Sequence, residues 1–284
     1  MPVLESGFAQ YLPQQALREP NGGFLFTFER NSTGISMTAE QGERKAEGQM
    51  RWVLGAGAQG QTPLVQTAQG FAESRVSYFP QLHQYGITIG QDAGASANAV
   101  SALGIPKNKK DLHECVSCHA SITGAQTETI IPGVTCERCH PGADQHALGR
   151  GKPLNPGKLE ALAQVELCAT CHRIKPPVSA TSVENVRFQP LRLVKSPCFA
   201  SMKLACTTCH VAHEDARRAD PAYYNSKCQT CHGEQNAHAD QRENGDCTVC
   251  HMPKVQLHPA LTFTDHYIRI VSTKELAAGA PRSP

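Results

Sequence analysis

Six copies of Cys-x-x-Cys-His punctuate this chain of 284 residues. The thiol pairs are Cys115 and Cys118, Cys136 and Cys139, Cys168 and Cys171, Cys206 and Cys209, Cys228 and Cys231, and Cys247 and Cys250. The histidines that follow are His119, His140, His172, His210, His232 and His251. Two thiols at this spacing can add across the two vinyl groups of one porphyrin. The adjoining imidazole then falls under the iron as proximal ligand, so each copy reads as a haem c attachment site. Paired cysteines also bind zinc, but zinc does not ask for histidine directly after the second cysteine. A disulfide across two intervening residues is a strained loop typical of redox motifs. The expected cofactors are therefore six haem c groups and their iron.

A haem iron has a sixth position, and its occupant decides between electron carriage and catalysis. Seven histidines lie outside the motifs: His83, His113, His146, His213, His238, His258 and His266. All seven are distal iron candidates, enough to cap every haem with a second imidazole. His146 and His238 each follow a motif histidine by six residues, and His213 follows His210 by three. None swings easily over its own haem, so each is expected to cap a neighbour. His83 lies in the cysteine-free part, and as a ligand it would staple the two parts together. Met37 and Met202 are weaker thioether alternatives, and Met252 is too close to its own motif. Cys198 is the thirteenth cysteine, readable as an inert buried thiol, a disulfide partner across chains or a group beside a haem.

The elements that must hold these groups fall into two regions. Residues 1–110 contain no cysteine and form the first expected domain, a small β-rich module. Phe24–Arg30, Ile35–Thr38 and Met50–Leu54 read as strands, with Asn31-Ser32-Thr33-Gly34 as a turn. Pro63–Thr67 and Ser74–Phe79 flank Ala68-Gln69-Gly70 as a hairpin. The glycine-rich run Gly55–Gly60 lacks the GxGxxG order and reads as a close-approach loop rather than a nucleotide site. Residues 111–284 form the second expected domain, mostly irregular with short helices, organised around stacked haems. Lys158–Leu167 is its clearest helix, running into the third motif. Pro176-Pro177 stops the chain after that motif, and Thr273–Pro284 reads as a fraying tail. Successive first cysteines are 21, 32, 38, 22 and 19 residues apart. By tether length alone, sites one and two, and sites four to six, lie close together.

Composition agrees with haem as the core. The motifs occupy residues 115–251, about 23 residues each, and only 6% of the chain is aromatic. So short a segment folds around its cofactors or not at all. The formal charge of +2 counts no propionates; six ferric haems move it to roughly −4. Nucleic acid is not an expected partner, and Lys107, Lys109 and Lys110 read as a solvated loop. No run of 18 apolar residues spans a membrane. Covalent haem attachment takes place outside the bacterial cytoplasm, yet Met1 opens no signal peptide. The expectation is an exported protein, periplasmic or extracellular, whose leader was cleaved or precedes this numbering.

Val134–His146, with Cys136-Glu137-Arg138-Cys139-His140-Pro141-Gly142, resembles a segment of exported multihaem cytochromes related to the tetrahaem cytochrome c-prime-type family. Leu154–Leu159, Ser196–Phe199, Leu204–His213, His251–Lys254 and Thr264–His266 follow in the same order, and Trp52–Gly57 precedes them. The resemblance implies stacked haems, histidine ligation and electron transfer, with His146 and His213 as distal ligands. Family members often carry a further N-terminal haem motif, which this chain does not show. The expected function is electron transfer along mostly bis-histidine haems, with redox proteins or neighbouring copies as partners. A head-to-tail homo-oligomer would make a filament. The alternatives are a nitrite, hydroxylamine or sulfur-compound oxidoreductase with one open haem, or a subunit of a larger complex. The Cys-x-x-Cys-Lys variant of one nitrite reductase class is absent.

Overall fold

A computed structural model describes residues 1–91, 94–123, 129–173, 182–201, 203–233 and 245–271. The chain divides into two compact units, Met1–Thr135 and Cys136–Pro284. The first unit therefore extends past residue 110 and takes in the first motif. The reason is local: the strand Gly104–Lys107 belongs to the sheet, and the motif helix starts directly after it.

In the first unit, α1 (Gly7–Gln10) opens at Ser6, whose hydroxyl accepts the Ala9 amide at 3.4 Å. The strands follow as β1 (Leu17–Arg18), β2 (Leu25–Asn31), β3 (Gly34–Gln41), β4 (Arg44–Leu54), β5 (Thr62–Thr67) and β6 (Gly70–Ser74). They form an antiparallel meander in chain order. β7 (Val76–Phe79) and β8 (Gln84–Ile87) pair as a separate hairpin. The short helix α2 (Ala99–Leu103) leads to β9 (Gly104–Lys107), which closes the edge against β6. α3 (Lys109–His119) and the hairpin of β10 (Ala120–Thr123) with β11 (Thr129–Pro132) complete the unit.

The strands exist because alternate residues are apolar and one face is buried. Phe26, Ile35, Met37, Ala39, Met50 and Val65 all point into one core. Ile35 faces Met50, and Met50 faces Val65, across the ladders. The register shifts between Met50 and Trp52, which is a β-bulge. Alternation is broken there, so Val53 is buried while Trp52 is 41% exposed. Asn31 closes the β2–β3 turn by accepting the Thr33 amide at 3.0 Å, an Asx turn. Met37 is fully buried in this core, with the Ser74 hydroxyl against its sulfur. It is therefore a packing residue, and the thioether-ligand alternative is corrected.

Two more expectations change or sharpen. The partner of β5 is Gly70–Ser74, not Ser74–Phe79; the chain breaks at Arg75 and Val76–Phe79 turns to β8 instead. In the glycine-rich run, Gly55 has φ +102°, and a Cβ there would lie 2.1 Å from the Gly60 carbonyl oxygen. It is a close-approach loop, as its residues predict. Below α2, the buried carboxylate of Glu19 pairs with Arg75 at 2.5 Å. It also accepts the Ser96 amide and hydroxyl and the Phe24 amide at 2.6–3.1 Å.

The second unit has less regular structure. Its helices are α4 (Ala143–Ala147), α5 (Ala161–His172), α6 (Gln189–Leu193), α7 (Cys206–Cys209), α8 (Pro221–His232) and α9 (Cys247–His251). β12 (Lys254–His258) and β13 (Leu261–Thr264) form a hairpin after the last motif. The helix expected over Lys158–Leu167 begins later, at Ala161, because Leu159 and Glu160 are extended after a 3-10 turn at Pro156–Lys158. Val165, Leu193 and Phe199 make a small apolar cluster. Of the buried apolar side chains among the described residues, 20 lie in the first unit and seven in the second. The second unit therefore carries little side-chain core of its own among the described residues. No helix among the described residues is long and apolar enough to cross a membrane. Pro176, Pro177, Met202 and Thr273–Pro284 lie outside the described residues.

Candidate haem centre

All six motifs adopt one helical turn. Three close α-helices: Cys115–His119 ends α3, Cys168–His172 ends α5, and Cys228–His232 ends α8. Cys247–His251 is α9 itself, and Cys206–Cys209 is α7 with His210 as its cap. The second motif is a 3-10 turn, Cys136–Arg138, whose His140 amide donates to the Cys136 carbonyl at 2.7 Å. One turn of 3.6 residues places thiols i and i+3 on one side and imidazole i+4 beside them. The sequence sets these starts with caps. Asn108 and Asp111 form a capping box for α3. Asp220 accepts the Tyr223 amide at 2.9 Å before α8, and Asp246 accepts the Thr248 amide at 2.8 Å before α9.

None of the thirteen cysteines, all among the described residues, is joined in a disulfide, and none is fully buried. Among the described residues no three His, Cys, Asp or Glu side chains gather as a metal nest. Each motif instead spreads two thiols and one imidazole along a turn, the arrangement a porphyrin rim and its iron require. The residues fit haem c: twelve thiols would hold the vinyl carbons, and six imidazoles the iron.

Three of the six motif imidazoles are oriented for that role. His140 donates from Nδ1 to the Leu154 carbonyl at 2.9 Å, and His251 to the Arg269 carbonyl at 2.8 Å. His172 meets the Gln189 side-chain oxygen at 3.1 Å. A carbonyl acceptor at Nδ1 puts the proton there and leaves the Nε2 lone pair for a metal. Burial lowers the pKa of His210 and of His119, favouring the neutral, ligating form.

Neighbouring motifs of the second unit touch in chain order. Arg138 reaches Cys171 at 3.6 Å, joining motifs two and three. The Cys206 thiol hydrogen-bonds to Cys168, joining three and four; this contact holds Cys168 below the usual thiol range and, with burial, pushes Cys206 up. Gln164 strengthens the same junction by accepting the Thr207 amide and hydroxyl at 3.0 and 2.9 Å. Asn225 joins five and six, accepting the Cys247 amide at 3.0 Å and donating to the Gly245 carbonyl at 2.7 Å. Burial and then Cys247 push Cys228 up to about 11. Tether length had separated sites three and four, yet they are in contact. Cys198 lies close enough to Cys209 and Cys228 to raise both thiols. It is half-buried among the motif cysteines.

The remaining histidines sort by their own hydrogen bonds. His146 donates to the Gly151 carbonyl at 3.0 Å, and His266 to the Thr264 carbonyl at 3.0 Å, so both keep Nε2 for a metal. His266 is pushed down to about 4 by burial. His258 is the opposite case: its Nδ1 accepts the Ala260 amide at 3.1 Å, which places the neutral ring's proton on Nε2. His213 lies 6.1 Å from His140, ring centre to ring centre. His113 sits on α3, exposed. His83, at φ +50°, is exposed in the first unit with Tyr11 edge-on at 6.3 Å. His238 lies outside the described residues.

The sequence marks the segments of Ser196 and Asp265 by resemblance but not the contacts that join them to Arg192 around the last candidate. Asp265 is 3% exposed and binds Arg192 at 2.6 and 2.8 Å and Arg269 at 3.0 Å. Ser196 donates to the His266 carbonyl at 3.1 Å and accepts the Ile268 amide at 2.8 Å. An isolated Asp, Arg and Ser far apart in sequence give no spacing signal.

No family model and no solved structure matches the chain. Among curated proteins, the multiheme cytochrome MtrA of Shewanella baltica (strain OS185) is 24% identical over 183 residues. The match covers 55% of this chain and 49% of that protein. The chain thus spans about half the length of the curated relative it matches. The similarity is to a multihaem cytochrome.

Proposed function

We propose that this protein is an electron-transfer cytochrome carrying six haem c groups, exported to the periplasm or cell exterior. The observation that carries the reading is the shared geometry of the motifs. Each places two cysteines and a histidine on a single turn, and three of those imidazoles have Nδ1 against a side-chain or backbone oxygen. Bound haem would supply a one-electron couple between ferric and ferrous iron. The chain supplies attachment through its thiols, neutral imidazoles held in one tautomer, and a scarcity of competing side-chain core. The contacts between successive motifs in the second unit support a closely spaced, stacked series. Likeness to a multihaem cytochrome supports the same reading. Redox proteins or further copies of the chain are the proposed partners.

The test is a pyridine haemochrome assay with intact mass on protein made in a haem-attaching host. Six haems per chain, low-spin spectra and full reduction without carbon monoxide binding are expected. A mass equal to bare polypeptide ends the cofactor reading. Stoichiometric carbon monoxide binding by the native protein replaces the carrier with an enzyme.

A further inference from the structure

Two pairs of histidine rings in the second unit stand at one particular separation. His140 and His213 have ring centres 6.1 Å apart, with planes 19° from parallel. His210 and His266 have ring centres 6.2 Å apart, with planes at 31°. Each pair joins a motif histidine to one outside the motifs. A metal–imidazole bond of about 2.0 Å, plus roughly 1.15 Å from nitrogen to ring centre, puts two rings on opposite sides of one iron about 6.3 Å apart. Ring pairs also pack directly at about 4.5–7 Å, so the separation alone does not carry the reading; what adds to it is that each pair joins a motif histidine to one outside the motifs. The same separation arises twice between a motif histidine and one outside the motifs, and it is the separation that one iron held between the two rings would set.

From these pairs, and resting on the haem reading above, we infer that His213 is the distal ligand of the second motif's haem and His266 that of the fourth. The hydrogen bonds agree. His140 and His266 each spend Nδ1 on a backbone carbonyl and keep Nε2 for iron. His213 follows the fourth motif's His210 by three residues, too near to cap its own site. The chain after motif four thus straps the haem of motif two, and the segment at residue 266 straps the haem of motif four. Both straps come from downstream, so the order of capping runs against the order of attachment. His258, whose Nδ1 accepts an amide, is left out of both pairs.

The experiment uses the complete holoprotein. His213→Ala and His266→Ala should each raise carbon monoxide bound per reduced chain by one equivalent over the parent, with a matching ferric high-spin signal. In a Cys136→Ala/Cys139→Ala background, which lacks the second haem, His213→Ala should open nothing further, while His266→Ala still opens one site. If His213→Ala opens a site in that background, it caps another haem and the pairing is overturned. Should that background fail to accumulate, His213→Met and His266→Met serve instead. Each should keep six-coordinate iron, gain one thioether-to-ferric charge-transfer band and raise the potential of one haem. An unchanged spectrum in either Met variant refutes its pair. Parent protein without haem would instead refute the underlying function.

Discussion

Removing the Asp265 carboxylate tests how the second unit holds its last candidate ligand. The side chain is 3% exposed and faces two guanidiniums, Arg192 at 19% and Arg269 at 21% exposure. It also accepts the Tyr267 amide at 3.0 Å. Breaking a fully buried pair costs about 3–5 kcal/mol, because the surviving charge is stranded. Exposed pairs are worth about 0–1 kcal/mol. The arginines here are partly wet, which places Asp265→Ala between these limits at about 2–3 kcal/mol. For a unit of this size that is a fall in Tm of about 5–10 °C. Urea unfolding of the full holoprotein, followed through the haem absorption, gives the number. The same variant should loosen His266 and raise the high-spin fraction of one haem, since Asp265 precedes it and orders Tyr267 after it. Ser196→Ala, which removes only neutral hydrogen bonds, should cost less, about 1 kcal/mol. An Asp265→Ala midpoint within about 0.5 kcal/mol of the parent, with an unchanged spectrum, would refute the claim that this carboxylate organises the segment.

Two further outcomes concern the first unit and the contrast between units. Glu19 has its pKa lowered from the ordinary carboxylate value: burial pushes it up, but the Ser96 and Phe24 hydrogen bonds and Arg75 outweigh that. A depressed folded-state pKa contributes stability above the unfolded pKa and loses it as pH falls through the folded one. The first unit should therefore weaken with acid from about pH 4.5 downward, and Glu19→Gln should flatten that slope in circular-dichroism melts; equal slopes would contradict it. Protein made without haem attachment should keep slow amide exchange across β2–β6 and lose it across α7, α8 and α9. Equal protection in both regions would contradict the idea that haem supplies the second unit's core.

What the sequence disclosed and what it hid follow from the range of the forces involved. The motif turns were legible because their chemistry is written in five consecutive residues, and β2–β4 because period-two burial is local. The bulge at Met50–Trp52 was hidden, since a single extra residue has no compositional mark, yet it decides that Val53 and not Trp52 enters the core. The contact between motifs three and four was also hidden. Their gap is the longest, but loop closure costs grow only with the logarithm of length, and Gln164 repays it through two hydrogen bonds to Thr207. Long-range polar hubs are the least visible of all. Asp265 meets Arg192 across 73 positions, and neither residue is unusual where it stands. Among the described residues the second unit has seven buried apolar side chains, so a polar hub of this kind carries a larger share of the order around His266. A side chain that its neighbours already orient loses less freedom on taking a ligand, so this polar frame and the proposed haem would act on the same histidine.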